Sequence, residues 1–214
     1  MSQSALSPSL QAPRARGFLL LLASVALWGF APIGNRYFIG PTHLGFPAAS
    51  YMALRYAIAA FCFTPGVIVA LRSWSGRDWL RGAVCGFAGV SIYNLLAGVA
   101  ARSVSAGMAG LLNSTETLMI LLLGCLIARR APGMRTIFAA LLGAAGIALL
   151  AASSGPAEGS VGGILMLLGA ASGWAVYCVL IPPLIKKHGA LQCSAVTMFL
   201  GTMPLLSLIH ISEP

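Results

Sequence analysis

Seven apolar stretches run through the 214 residues, and the basic residues between them fall on alternate connections. A helix that crosses about 30 Å of hydrocarbon needs roughly 20 mostly apolar residues. Segments 17–37, 47–71, 79–101, 105–127, 136–152 and 161–185 approach or reach that length, and a seventh begins at Ala190. Placing Arg14 and Arg16 in the cytoplasm puts Arg72, Arg77, Arg81, Arg129, Arg130, Arg135, Lys186 and Lys187 there too. The opposite connections hold Arg36 and Arg102, and Arg55 lies inside the second span. Cytoplasmic loops of membrane proteins carry an excess of Lys and Arg. The bias therefore predicts an all-α integral membrane protein, multi-pass in the plasma membrane, with its amino terminus in the cytoplasm.

Charged residues make up 8% of the chain, where a soluble domain carries roughly 25%. That leaves too little polar surface to cover a water-facing globule. The net charge of +9 sits in short loops beside spans and forms no basic helix face, so no nucleic-acid partner is expected. Cys62, Cys85, Cys125, Cys178 and Cys193 all fall in apolar spans without CxxC or Cys/His spacing, which argues against a disulfide framework, a metal site or a cofactor.

Residues 1–16 are rich in Ser, Pro, Gln and Ala and read as a disordered cytoplasmic lead. The apolar run that follows continues past Trp28, longer than the h-region of a signal peptide, so an uncleaved first helix is expected. The tail 206–214, LSLIHISEP, brings a His and a Glu into the seventh span. Back-translated, it reads as sequencing-adapter read-through joined to an incomplete gene, with a genuine polar terminus as the alternative, and His210 and Glu213 are set aside.

Aligning Trp28 with Trp174 superposes ASVALWGF on GAASGWAV, an offset of 146 residues. Corresponding positions are five spans apart, an odd number, so the second copy enters the membrane from the opposite side, as in the inverted repeats of many secondary transporters. With the LWG at 27–29, the P-x7-R-Y from Pro47 to Tyr56, SAGMAGLLNSTE at 105–116, FAALLGAAGIALL at 138–150 and GAASGWAVYCVL at 169–180, the chain resembles the drug/metabolite transporter superfamily, specifically proteins with two EamA domains of five helices each. The resemblance implies a ten-helix 5+5 inverted-repeat fold around a central cavity. It divides the chain into a first repeat at 17–152 and the start of a second at 153–205. Two departures stand out: Thr117 follows Glu116 where the family commonly has Pro, and Ile127, Ala128 and Arg129 stand where it commonly has Gly-Glu-Arg.

Glu116 is the one carboxylate within a span, where an ionised acid costs at least ~2.5 kcal/mol on insertion scales. It is a candidate proton-coupling site or contact for a substrate amine; a structural acid paired with a nearby base is the alternative. Arg55 lies eight residues after Pro47, about 12 Å along a helix. Binding a substrate carboxylate, snorkelling to the headgroups and pairing with Glu116 are its three readings. Asn94 and Asn113 are polar residues in the third and fourth spans, and Asn113 shares a helix face with Glu116. Trp28, Tyr93, Trp174 and Tyr177 lie inside spans rather than at their ends, as cavity walls or as core. Trp74 and Trp79 fit interfacial anchors. The GxxxG pairs Gly82 with Gly86 and Gly169 with Gly173, and the small residues Ala139, Ala140, Gly143, Ala144 and Gly146, suit close helix contacts.

His43, His188 and Asp78 read as loop residues and no catalytic motif is present, so an enzyme is not expected. The expected function is a secondary transporter, an exporter of small metabolites such as amino acids or related amphipathic compounds. A non-transporting helical bundle, receptor-like or part of an assembly, is the alternative. Lipid, a small-molecule substrate, protons and a second copy of the chain are the candidate partners.

Overall fold

A computed structural model describes residues 8–39, 44, 46–153 and 159–212. The protein is an all-α integral membrane protein, and all seven apolar stretches are helical. Among the described residues six of these helices are long and apolar enough to cross a membrane, and the fifth stretch gives a shorter apolar helix at Met134–Gly146. The first span is α1 (Pro8–Gly29) and α2 (Ala31–Ile39), and the second is α3 (Ala48–Ser73). In the third, α4 (Gly76–Gly86) runs through a π-helical turn (Phe87–Ile92) into α5 (Tyr93–Ala100). The fourth is α6 (Ala106–Asn113) and α7 (Thr115–Ala128), the fifth α8 (Met134–Ser153) and the sixth α9 (Val161–Leu180). A short α10 (Pro182–His188) leads into the seventh, α11 (Ala190–Ser212). The backbone is thus helical from Pro8, inside the segment whose composition suggests disorder; residues 1–7 and His43 lie outside the described residues.

Local chemistry sets the boundaries. Ser75, Ser105 and Ser160 each accept a backbone N–H from three residues on and start α4, α6 and α9. Pro182 and Pro183 occupy the first positions of α10, where a missing N–H costs nothing. They end the sixth span at Leu180, five residues earlier than hydropathy suggests. Gly189, at φ 84°, turns the chain into α11.

The seventh span forms the centre. α11 packs most extensively against α3, and next against α4 and the π turn. Ala195 lies so near Gly66 that a Cβ there would stand 2.6 Å from its own. Ala53, Ala70, Cys85, Cys193, Val196 and Leu205 are fully buried around this seam. α9 covers the other side of α5, α7 and the π turn. Both GxxxG pairs serve close contacts: Gly86 meets the backbone of Thr197 and Gly201, and Gly173 meets the Ala88 carbonyl. The apolar faces of α1 and α8 are turned outward, with Leu20, Leu27, Phe138 and Leu149 at least two-thirds exposed. Such faces suit hydrocarbon and would be untenable in water.

One expectation is overturned. Trp74 is 8% exposed and sits in the core between Trp79 and His188, not at the lipid interface. Folding α10 back over the α3–α4 connection covers it.

Candidate functional site

Three spans depart from α geometry part-way along their length. Pro32, which has no N–H, lies just after the break between α1 and α2. Thr115 Oγ1 donates to the Leu112 carbonyl at 2.6 Å and Ser114 N to that of Leu111 at 3.1 Å, short-range bonds that interrupt the fourth span. In the third, the π turn puts Gly89 against Tyr177, where any Cβ would collide with the ring. Asn94 Nδ2 donates to the Val90 carbonyl at 2.8 Å and Ser91 Oγ to the Gly201 carbonyl at 2.6 Å, so the widened turn is anchored from both sides.

These irregular segments surround a cavity of about 400 Å³. Of the eight candidate residues read from sequence, Trp28, Arg55, Tyr93, Asn94, Asn113, Trp174 and Tyr177 line it. Glu116 lies one turn beyond Asn113 and adjoins Tyr93. Its Oε1 is buried without a hydrogen-bond partner among the described residues.

The lining has an aromatic and a polar half. Trp174 is the hub of the first: Trp28 meets it edge-on at 5.1 Å, Tyr177 stacks on it at 5.0 Å, and Tyr93 tilts against it at 5.4 Å. Such pairs contribute ~0.5–1.5 kcal/mol each beyond area burial. In the second, Arg55 Nη1 donates to Asn35 Oδ1 at 3.1 Å and the guanidinium lies 5.3 Å from the Tyr56 ring centre. Tyr56 in turn adjoins Asn94. Arg55 and Glu116 form no ion pair among the described residues, so the pairing alternative for Arg55 is not what the fold adopts. Arg55 is held by a neutral amide and keeps donors for an anion.

Sequence reasoning passed over Asn35, Tyr56 and Thr197. Asn35, an amide one residue before Arg36 near the end of a span, carried a readable signal; Tyr56 was noted as the end of the P-x7-R-Y motif and not as a site residue, and Thr197 carried no signal. Arg36, read as a loop cation, donates to the Ala101 carbonyl at 2.7 Å and lines the cavity at its far end. A second cavity of about 550 Å³ separates α8 from α6 and α7, lined by Leu111, Thr117, Leu121, Ala140 and Gly143.

The cavity lies in one half of the molecule. Its lining runs from mid-span residues Trp28, Tyr177 and Thr197 to Ala101, Val104 and Ala106, at the end away from the basic connections. A bilayer-embedded cavity with aromatic walls, a cation and an adjoining acid is suited to hold a small amphipathic solute.

Similarity to known proteins agrees with that character. YdfC of Bacillus subtilis, an uncharacterized transporter, is 31% identical over 185 residues, covering 85% of this chain and 58% of that protein. An uncharacterized transporter of Archaeoglobus fulgidus is 23% identical over 192 residues, 88% of this chain and 65% of the other. The chain spans about three fifths of the length of these curated relatives. No solved structure matches it. The EamA-like transporter family matches residues 15–152, well over half of the chain and the whole of its first five spans. The chain belongs to the EamA-like transporter family.

Proposed function

We propose that this chain forms the substrate pathway of a secondary transporter that exports small metabolites, amino acids or related amphipathic compounds, by alternating access. The cavity carries the reading. It places Arg55 opposite an aromatic wall, with Glu116 beside Tyr93 at the inner edge. A carboxylate docks on Arg55, the apolar body of the solute lies on Trp28, Trp174 and Tyr177, and Glu116 serves a substrate amine or a transported proton. Interrupted helices at the depth of the site are a recurring transporter device, because they free backbone polar groups where a cavity can use them.

The sixth and seventh spans begin a second, inverted repeat in this reading. Trp28 and Trp174, the residues that the repeat alignment pairs, touch in the fold. Positions related by a two-fold axis meet only near that axis, so the contact supports a pseudo-symmetry axis through the cavity.

Proteoliposomes loaded with a panel of amino acids and amphipathic amines test the proposal. Efflux that rises with a pH gradient is expected. Arg55→Gln should abolish movement of carboxylate-bearing solutes, and Glu116→Gln should remove the gradient dependence while leaving exchange. A protein that unfolds cooperatively yet moves no member of the panel points instead to a non-transporting bundle.

A further inference from the structure

Asp78 is the one carboxylate on the connections that carry the basic residues, and it sits where two of them meet. Its side chain is 8% exposed although it stands in the first turn of α4. Its Oδ2 accepts from Ser75 N at 3.1 Å and from Ser75 Oγ at 2.7 Å, closing a capping box. The same oxygen takes Lys187 Nζ at 2.6 Å and lies 3.2 Å from His188 Nε2, both from α10, more than 100 residues on. His188 is 6% exposed and stacks on Trp74 at 4.8 Å. Gln192 and Ser73 share a further hydrogen bond of 3.2 Å beside it. A helix cap needs only Ser75 and Asp78. The Lys and His contacts tie the α3–α4 connection to the α9–α11 connection.

Beneath this tie lies a solid plug. Ala70, Trp74, Cys85, Ile181, Leu184, Cys193 and Val196 are all buried in one cluster. Gly89 and Thr197, each one turn farther along α4–α5 and α11 than Cys85 and Cys193, line the cavity. The cavity therefore stops at the plug and extends only toward the opposite end.

We propose that Asp78, Lys187 and His188 form a latch that keeps the cavity closed toward the basic connections, and that the latch must part for the cavity to open on that side. The proposal rests on the alternating-access reading. In the latched state α3–α4 and α10–α11 are held together over the plug. Without the charge-assisted contacts, apolar packing and the neutral Gln192–Ser73 hydrogen bond are left to oppose their separation, and the equilibrium moves toward the state open at the latch end.

Cys85 and Cys193 report directly on the plug. In membrane vesicles of either orientation, the chain carrying Cys62→Ala, Cys125→Ala and Cys178→Ala is treated with a membrane-impermeant maleimide. A separate cysteine-free chain carries Ala106→Cys at the far end of the cavity. Asp78→Asn should raise labelling of Cys85 and Cys193 from the latch side roughly tenfold and lower labelling of the Ala106→Cys thiol from the other side, the reciprocal change of a population shift. Lys187→Gln with His188→Gln, which leaves the cap in place, should do the same. A rise at both ends means a loosened fold, and no change at either end means a static staple; each overturns the latch. Labelling needs no substrate, so this test fails or succeeds apart from the transport assay: reciprocal labelling without flux sinks the transport reading alone, and flux with unchanged labelling sinks the latch alone.

Discussion

Gly86→Ala adds one methyl group where α4 crosses α11 backbone to backbone. A Cβ on Gly86 would stand 2.5 Å from the Thr197 carbonyl oxygen and 3.0 Å from the Gly201 nitrogen, both main-chain atoms that no rotamer change moves. Ordinary contact begins at 3.4 Å, so the crossing must open by 3.4 − 2.5 = 0.9 Å. That displacement carries the Ser91 Oγ to Gly201 O bond from 2.6 Å to about 3.5 Å, the limit of a hydrogen bond. Overpacking of this kind costs ~1–3 kcal/mol, and an interhelical hydrogen bond in a membrane contributes about 0.6 kcal/mol. Ala regains ~0.5–1 kcal/mol over Gly in a helix interior, and Gly86 has ordinary helical angles of φ −62° and ψ −44°. The net loss is about 2 kcal/mol, which lowers the thermal midpoint by roughly 4–8 °C in a chain of this size. Gly110→Ala is the control, since its Cβ meets nothing within 4 Å; it should raise the midpoint slightly. Thermal unfolding in detergent, followed by thiol-reactive dye entering at Cys85 and Cys193, measures both. Equal shifts in the two variants would refute the backbone crossing. Adding Gly201→Ala to Gly86→Ala should cost less than the sum, because both methyl groups demand the same separation.

Other outcomes follow from the site. Asn35→Ala removes the acceptor that Arg55 uses at 3.1 Å; a lost bond to a charged group predicts a destabilisation of about 1.5–3 kcal/mol, read as a lower thermal midpoint. Trp174→Ala deletes the ring on which Trp28, Tyr93 and Tyr177 all pack and should cost ~3 kcal/mol or more, with a much smaller loss for Trp174→Phe, measured in the same unfolding assay. Ser105→Ala and Ser160→Ala each remove a helix cap at the far end of the cavity and should lower stability by ~0.5–2 kcal/mol without altering maleimide access to the plug.

The latch shows where linear reading stops. Asp78, Lys187 and His188 look like ordinary loop residues because their neighbours in sequence are basic and solvated, and their meeting depends on α10 folding back across Trp74. The aromatic cluster lies between these extremes. Trp28, Tyr93, Trp174 and Tyr177 are conspicuous as mid-span aromatics, yet whether each faces lipid, core or cavity depends on the rotation of its helix. The π turn sets that rotation for Tyr93 and Asn94, and no hydropathy pattern announces it.

The amino-acid sequence alone determined that this chain folds into apolar membrane-spanning helices and which residues within them are polar enough to require company. Both follow from bilayer thickness and from the cost of a charge or amide in hydrocarbon, which act on each span separately. Tertiary structure decided which companion each one finds: Asn35 for Arg55, Tyr93 for Glu116, Lys187 and His188 for Asp78. It also decided that the cavity is closed at the basic end. Those outcomes depend on how closely Gly66, Gly86, Gly173 and Gly201 let neighbouring backbones approach, which is a property of helix pairs and not of any one helix.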